Sequence, residues 1–542
     1  MISMPHKSLF VVIIAWVIIA GAGCTDSNSS VLHQQSLIFC SDGAPDNFNP
    51  NVGTSFTDFN ASSRVLFNRL VEIDDDNGNV IPSLASHWQI SDDGLNYVLT
   101  LRPDIQFHTT EWFEPTRPMN ATDVIFSFQR QLDTNHPFHG DGGYYYLHST
   151  GLRDNLLSVN AMGDWLVSFE LRAPDASFLY SLSMDFASIL SKEYADYIER
   201  HSLNRTQFDS LPVGTGPFKL NKYQDNSFIR YYAHADYYDG KSSIEHLIYA
   251  ITPDSATRYA RLVSGECDMM LNPPKSQYDL LVNDQDVQLL HKPGLNIGFM
   301  AFNIQKRPMS DIRFRTAIAM AINKQRINEQ VYGDLGITNN SLIPPSMVPY
   351  HNANLTTVDF DPERAKAIIE ELALGDISLE LWALPVQRSY NPNGTLMAEL
   401  IQEDLQAVGV QTTIVTYEWS TYLDKVNEGE HDLALLGWVA DNHNPGDFLN
   451  ALISCNAIDA KTNRTFWCSS FLDNLINEAI NSQDIDQKRQ RYFAIQSMIA
   501  EQLPLLPIAT GEETLVARKS LKSITIESLG GVNFNRIEKG VE

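Results

Sequence analysis

Three side chains that could grip a charged small molecule fall at matching places in the sequence. Arg388 lies in LPVQRSYNPN (384–393), Trp419 in VTYEWSTYL (415–423) and Asp441 in LLGWVADNHNPGDF (435–448). A guanidinium holds a carboxylate through two parallel hydrogen bonds. A carboxylate pairs with an ammonium, and an indole offers a flat apolar plate. Together they suit a zwitterion with apolar side chains. The termini of an extended dipeptide or tripeptide lie roughly 7–11 Å apart, and neighbouring strands are ~4.8 Å apart, so loops above nearby strands span that gap. Each residue also has a plainer reading: Asp441 as an Asx-turn, Arg388 as a solvated loop arginine, Trp419 as core.

The elements between them favour a shared position. Asp361 reads as an N-cap with Pro362 behind it, and Gly375 as the stop. Strand ISLELWAL (377–384) follows, then an amphipathic helix over 394–409 with Met397, Leu400, Ile401, Leu405 and Val408 on one face. Strand VQTTIVTY (410–417), a helix near 419–427 closed by Gly429, and strand DLALLGWVA (432–440) complete a βαβαβ unit. Its three strands are expected to be parallel. Ligands of open α/β sheets bind beyond the carboxyl ends of the strands. Arg388, Trp419 and Asp441 each come just after one strand, so one crevice would hold a cation, an aromatic plate and an anion.

Elsewhere the texture differs. YVLTLRP (97–103) and WLVSFELRAP (165–174) alternate as half-buried strands do. NATDVIFSFQRQL (120–132) reads as a helix capped by Asn120. Residues 210–290 are more β-like, with a glycine turn in VGTGPFKL (213–220); NPPK (272–275) and IPPS (343–346) read as rigid connectors. His108, His136 and His139 allow a metal or haem role, but exposed loop histidines are the simpler reading. No nucleophile elbow, zinc-protease helix, Walker loop or dinucleotide fingerprint is present. No catalytic residue, metal site or cofactor is assigned.

The chain has 542 residues and a net charge of −27, with 43% hydrophobic residues. That length suits two to four domains, and the acidity argues against nucleic acid as a partner. Lys7, the apolar run 9–20 and GAGC (21–24) form an export signal too short to span a bilayer comfortably. Setting Cys24 aside leaves Cys40, Cys267, Cys455 and Cys468, an even number suited to an oxidising compartment. Three pairings are open; Cys455–Cys468 is the simplest local one, and Cys40–Cys267 would accompany it.

Several longer motifs resemble one family. IPSLASHWQISDDGLNYVLTLRPDIQFH (81–108), MNATDVIFSFQR (119–130), VGTGPF, FNIQKRPMSDIRFRTAIAMAINK (302–324) and PERAKAIIEE (362–371) look like the bacterial extracellular solute-binding proteins of family 5, the peptide-binding components of ABC transporters. The similarity covers about residues 36–537. LPVQRSYNPN, VTYEWSTYL and SMDFASILSKEYAD (183–196) resemble the dipeptide binders; TEWFEPTRPMNATDV (110–124), LISCNAIDAKTNRTFWC (452–468) and AEQLPLLPIA (500–509) look more like SapA-type proteins. GAGC resembles a lipobox with Gly21 in place of the usual leucine, which would make Cys24 the lipidated residue.

The resemblance implies an α/β, two-lobed periplasmic-binding-protein fold of the peptide-binding class, with an extra subdomain. Lobe I would be 36–70, 210–293 and 508–537, the subdomain 71–209 and lobe II 294–507, after a signal peptide at 1–23 and a tether at 24–35. It implies Asp441 on the ligand ammonium and Arg388 on the carboxylate, with Trp419, Trp438, Thr54, Ser55 and Phe56 as further ligand contacts. Phe56 stands where dipeptide binders have glycine, which argues against strict dipeptide preference. The disulfides would be Cys40–Cys267 and Cys455–Cys468. A monomeric, non-catalytic periplasmic protein is expected, optionally lipid-anchored, that delivers peptides to an inner-membrane permease and its ATPase. The SapA-like reading makes the ligands cationic antimicrobial peptides. Its alternatives are dipeptides for nutrition, or haem or another non-peptide ligand.

Overall fold

The computed structural model describes residues 35–540, apart from 46, 54–55, 141–142, 483 and 528. The expected signal peptide, Cys24, Thr54 and Ser55 lie outside the described residues.

Among the described residues, two large sheets organise the chain. The first has seven strands, in the order Val287–Pro293, Glu512–Arg518, Met269–Leu271, Ser36–Ser41, His246–Ile251, Phe228–Ala233, Phe218–Gln224. Ser36–Ser41 runs parallel to both its neighbours. Cys40 on this strand is bonded to Cys267, just before Met269–Leu271. That closes a loop of 227 residues, which in the chain-entropy picture stabilises the fold by about 5 kcal/mol. Cys455 is bonded to Cys468 in the second body.

A four-stranded antiparallel sheet, Ala85–Ile90, Asn96–Leu101, Leu166–Leu171 and Leu156–Ala161, is attached to the first body among the described residues. Its residues Leu99 and Phe169 belong to the same core as Leu37 and Phe39 of the large sheet. Helix Ala121–Leu132 forms where the sequence predicts it. Asn120 accepts from Thr122 N (3.0 Å) while Asp123 accepts from Asn120 N (2.9 Å), a reciprocal cap.

The second sheet has six strands among the described residues, in the order Ile337–Thr338, Leu505–Thr510, Asn296–Phe302, Leu433–Val439, Ile377–Trp382, Val410–Val415. Ile377–Trp382 is parallel to both Val410–Val415 and Leu433–Val439, as the βαβαβ pattern requires. Separate cores cover its two faces. Ile318, Ala365 and Ile401, from three helices, lie in one; Tyr422, Ile476 and Ile495, from three others, lie in the second. Both faces are therefore buried, and every residue of Asn296–Phe302 is buried.

Two crossings join the bodies among the described residues, at Gly294 and Gly511. Asn296 bridges them: its Nδ2 donates to Gly511 O (3.1 Å) and its Oδ1 accepts from Gly511 N (2.8 Å). The crossing expected at 507/508 falls inside a strand that runs on to Thr510.

Three local expectations change. Helix Pro362–Leu372 is capped by Asp361 as expected, but Ala373, at φ 49°, ends it before Gly375 is reached. His108 is fully buried; its Nε2 contacts Gly216 O (3.0 Å) and its Nδ1 accepts from Gly214 N (3.3 Å), so it braces the glycine turn. Burial holds its pKa well below the imidazole range. His136 and His139 are half-buried, and among the described residues no three metal-ligating side chains converge. The proline connectors also do more than connect: Asn272, Pro273 and Pro274 line the central cavity, and Ser346 Oγ donates to Gly294 O (3.0 Å) at the crossing.

Candidate functional site

A cavity of about 810 Å³ lies between the two bodies. Tyr146, Met184 and Asp185 face it from the first, Tyr332, Arg388 and Asp441 from the second, and Glu512 and Glu513 from the crossing.

Arg388 follows Ile377–Trp382 in a tight turn closed by Arg388 N to Asn391 O (3.2 Å) and Asn391 N to Arg388 O (3.0 Å). The turn is seated on glycine. Gly298 and Gly437 lie opposite each other on neighbouring strands, and a Cβ on either would strike Tyr390. Tyr332 OH donates to Tyr390 O (2.6 Å) and pins it there. The exposed Arg388 guanidinium stands 5.7 Å from the Trp419 ring. Trp419 stacks on Tyr422 at 5.9 Å and stands behind the arginine, outside the cavity lining among the described residues.

Asp441 follows Leu433–Val439. The Asx-turn role passes to its neighbours: Asn442 Oδ1 accepts from Asn444 N (2.7 Å), and Asn444 Oδ1 accepts from Gly446 N (3.0 Å). Asp441 is left free of turn-making and lines the cavity. Trp438 points elsewhere, donating its indole N–H to Asp447 Oδ2 (3.2 Å). Asp441 N donates to the same oxygen (3.1 Å). Burial, and then Asp447, push the Asp441 carboxyl well above the carboxylate range, against the pull of the Tyr146 hydroxyl. Burial pushes Asp447 up to about 6.

Other charges of the wall have partners. Asp185 accepts from Ser63 Oγ (2.6 Å) and lies 3.7 Å from both Arg64 and Arg69. Arg64 also reaches Glu527 (3.0 Å). Arg258 donates to Thr252 O (2.9 Å) and Pro253 O (2.7 Å). Among the described residues no ion pair is formed by Arg388 or Asp441. Glu513 and Arg258 likewise form no ion pair among the described residues and are held by hydrogen bonds instead. Arg388, exposed, and Asp441, half-buried, are the cation and the acid beyond the strand ends.

Phe56 opens the short helix Phe56–Asp58, and Phe59 just beyond it lines the cavity. Tyr146, Asp185, Glu513 and Asp447 were not singled out from sequence. Asp447 sat within the segment that drew attention to Asp441, and the run Tyr144–Tyr146 was the visible aromatic signal.

The profile of the bacterial extracellular solute-binding proteins, family 5 (middle) matches residues 79–460. The dipeptide-binding protein of Escherichia coli K12 is 41% identical over 506 residues, covering 93% of this chain and 94% of that one. The probable ABC transporter periplasmic-binding protein SapA of the same organism is 34% identical over 505 residues, covering 93% and 92%. The crystal structure of a dipeptide-binding protein from Pseudoalteromonas sp. SM9913 in complex with Met-Leu is 37% identical, covers 93% of this chain and 100% of that one, and superposes with a TM-score of 0.78. The two-lobed architecture is common to both.

Proposed function

Because the chain belongs to the bacterial extracellular solute-binding proteins of family 5, we propose that it captures peptides between its lobes in the periplasm and delivers them to the permease of an ABC transporter. The observation that carries this reading is an acid and a cation beyond the strand ends that face the same cavity. Asp441 and Arg388 face one space with no ion-pair partner from the protein among the described residues. Asp441 takes the peptide α-ammonium and Arg388 takes the α-carboxylate. Closure around a zwitterion supplies each charge with its complement, which matters because an unmatched charge away from water is costly. The carboxylate arrives at an exposed guanidinium preset by Trp419; the ammonium arrives at a half-buried acid.

Short peptides are the ligand class we propose, supported by 41% identity to the dipeptide binder against 34% to SapA. The cavity, about 810 Å³, lies in the upper part of the ~300–1,000 Å³ range for ligand pockets. It supports tripeptides or longer ligands as well as dipeptides. Cys24 is assigned as the lipid anchor on its GAGC context.

Calorimetric titration with a mixed di- and tripeptide pool, beside the same pool N-acetylated, tests the reading. Binding of the free pool and loss with the acetylated pool is expected, and Asp441→Asn should reproduce the loss. Equal binding of both pools would refute recognition of the ammonium.

A further inference from the structure

A second acid, Asp447, sits against the backbone of Asp441 just outside the cavity lining. Asp447, in the first turn of helix Gly446–Leu452, accepts the backbone N–H of Asp441 (3.1 Å) and the indole N–H of Trp438 (3.2 Å) on a single oxygen, Oδ2. Among the described residues neither carboxyl forms an ion pair with lysine, arginine or histidine. Tyr145 and Tyr146, at the start of helix Tyr145–Ser149, lie near enough to both acids that burial and then those charges raise their hydroxyl pKa values, and Asp185 also acts on Tyr146. The arginines of the cavity wall are Arg64, Arg258 and Arg388, none of them ion-paired with Asp441 or Asp447 among the described residues. His443, two residues past Asp441, is turned towards Asp75 at 3.8 Å. Two neighbouring carboxyls with no cation between them do not both ionise readily.

We propose that Asp447 sets the charge of the Asp441 subsite: the two acids hold one proton between them in the ligand-free protein, and the ammonium of a bound peptide takes that proton's place. The ammonium enters intact, the displaced proton goes to solvent, and no covalent bond changes. Asp447 acts through Asp441 and is a positioning and charge-setting residue. Burial raises both groups, Asp447 to about 6, which places the exchange in mildly acidic to neutral water. The proton and the ligand compete, so affinity rises with pH until the pair ionises unaided. The rise is at most tenfold per pH unit for one proton released. It ends near pH ~8, where the peptide amine itself loses its proton. This inference rests on the peptide reading above, which supplies the ammonium.

Two measurements separate the two claims. The first needs no ligand: an isotope-edited infrared titration of the protein labelled with [13C]aspartate. A carboxylic-acid band surviving above pH ~6 in the wild type and titrating at lower pH in Asp447→Asn is expected; no such band in the wild type, or one unmoved in Asp447→Asn, overturns the shared proton. The second is calorimetry of wild-type protein with trialanine near pH ~6 in two buffers of different ionisation enthalpy. Release approaching one proton per peptide is expected, with clearly less in Asp447→Asn. Binding heats that do not depend on buffer in the wild type overturn the exchange. Absence of trialanine and pool binding with the infrared band intact would refute the peptide reading while leaving the acid pair demonstrated.

Discussion

The two ends of the cavity are built on opposite principles. At the Arg388 end, a group that is always charged stands exposed, aimed by a closed turn and an indole 5.7 Å away. At the Asp441 end, a group whose charge is negotiable is half-buried beside a second acid and a tyrosine hydroxyl. The first end is ready before the ligand comes. The second reaches its ionised state at a cost that a ligand cation offsets. The contrast shows that one zwitterion can be read by a permanent ion at one terminus and a conditional ion at the other. It also shows why the ends should respond differently to mutation and to pH.

The largest effect should come from the Asp441 end. Asp441→Asn keeps the shape and removes the charge, and should weaken free-pool binding by about 3 kcal/mol, on the order of a hundredfold. Calorimetry against the free and N-acetylated pools measures it; near-equal affinities for the two proteins would erase the contrast. Arg388→Lys should cost less, about 1.5 kcal/mol or roughly tenfold, because a point charge replaces a planar fork on an exposed site. C-terminally amidated peptides should show little of that loss.

Thermal unfolding of the ligand-free protein sharpens the comparison further. Asp447 is raised to about 6 from a usual value of 3.8. A carboxyl raised in the folded state binds protons more tightly when folded, so its contribution is most favourable at acid pH and is lost as pH rises through about 6. Relative to Asp447→Asn, the wild type should lose about 1–2 kcal/mol between pH ~4 and ~7, read as a falling difference in Tm. The smallest effect belongs to Trp419→Leu. It removes the plate behind an exposed guanidinium and should weaken carboxylate-terminated peptides by about 0.5–1 kcal/mol, two- to fivefold. An effect as large as that of Arg388→Lys would mean that the indole meets the ligand directly.

Much of this was legible in the chain because it is local. The Asn120 cap needs only a polar oxygen ahead of an apolar periodic run, and the helix begins at Ala121. The 377–440 alternation of strand and helix led to three mutually parallel strands, and so to Arg388 and Asp441 beyond neighbouring ones. Which partners Trp419 and Trp438 take was not legible, because an aromatic's partner depends on packing. Trp419 turned to Arg388 and Trp438 to Asp447. His108 went from loop to core for the same reason: what buries it is the turn Gly214–Gly216, more than a hundred residues away.

The sequence by itself determined which side chains could hold a zwitterion, and the strand-and-helix order that carries two of them to one edge of a sheet. It did so because propensity, capping and periodicity act over a few residues. Tertiary structure decided which charges were already satisfied. Asp185 and Arg64 pair across 121 positions of chain, Tyr146 arrives from the other lobe, and Asp447 folds back under Asp441. Whether an ion is available to a ligand depends on every charge and hydrogen bond within a few ångströms of it, and those neighbours come from distant parts of the chain.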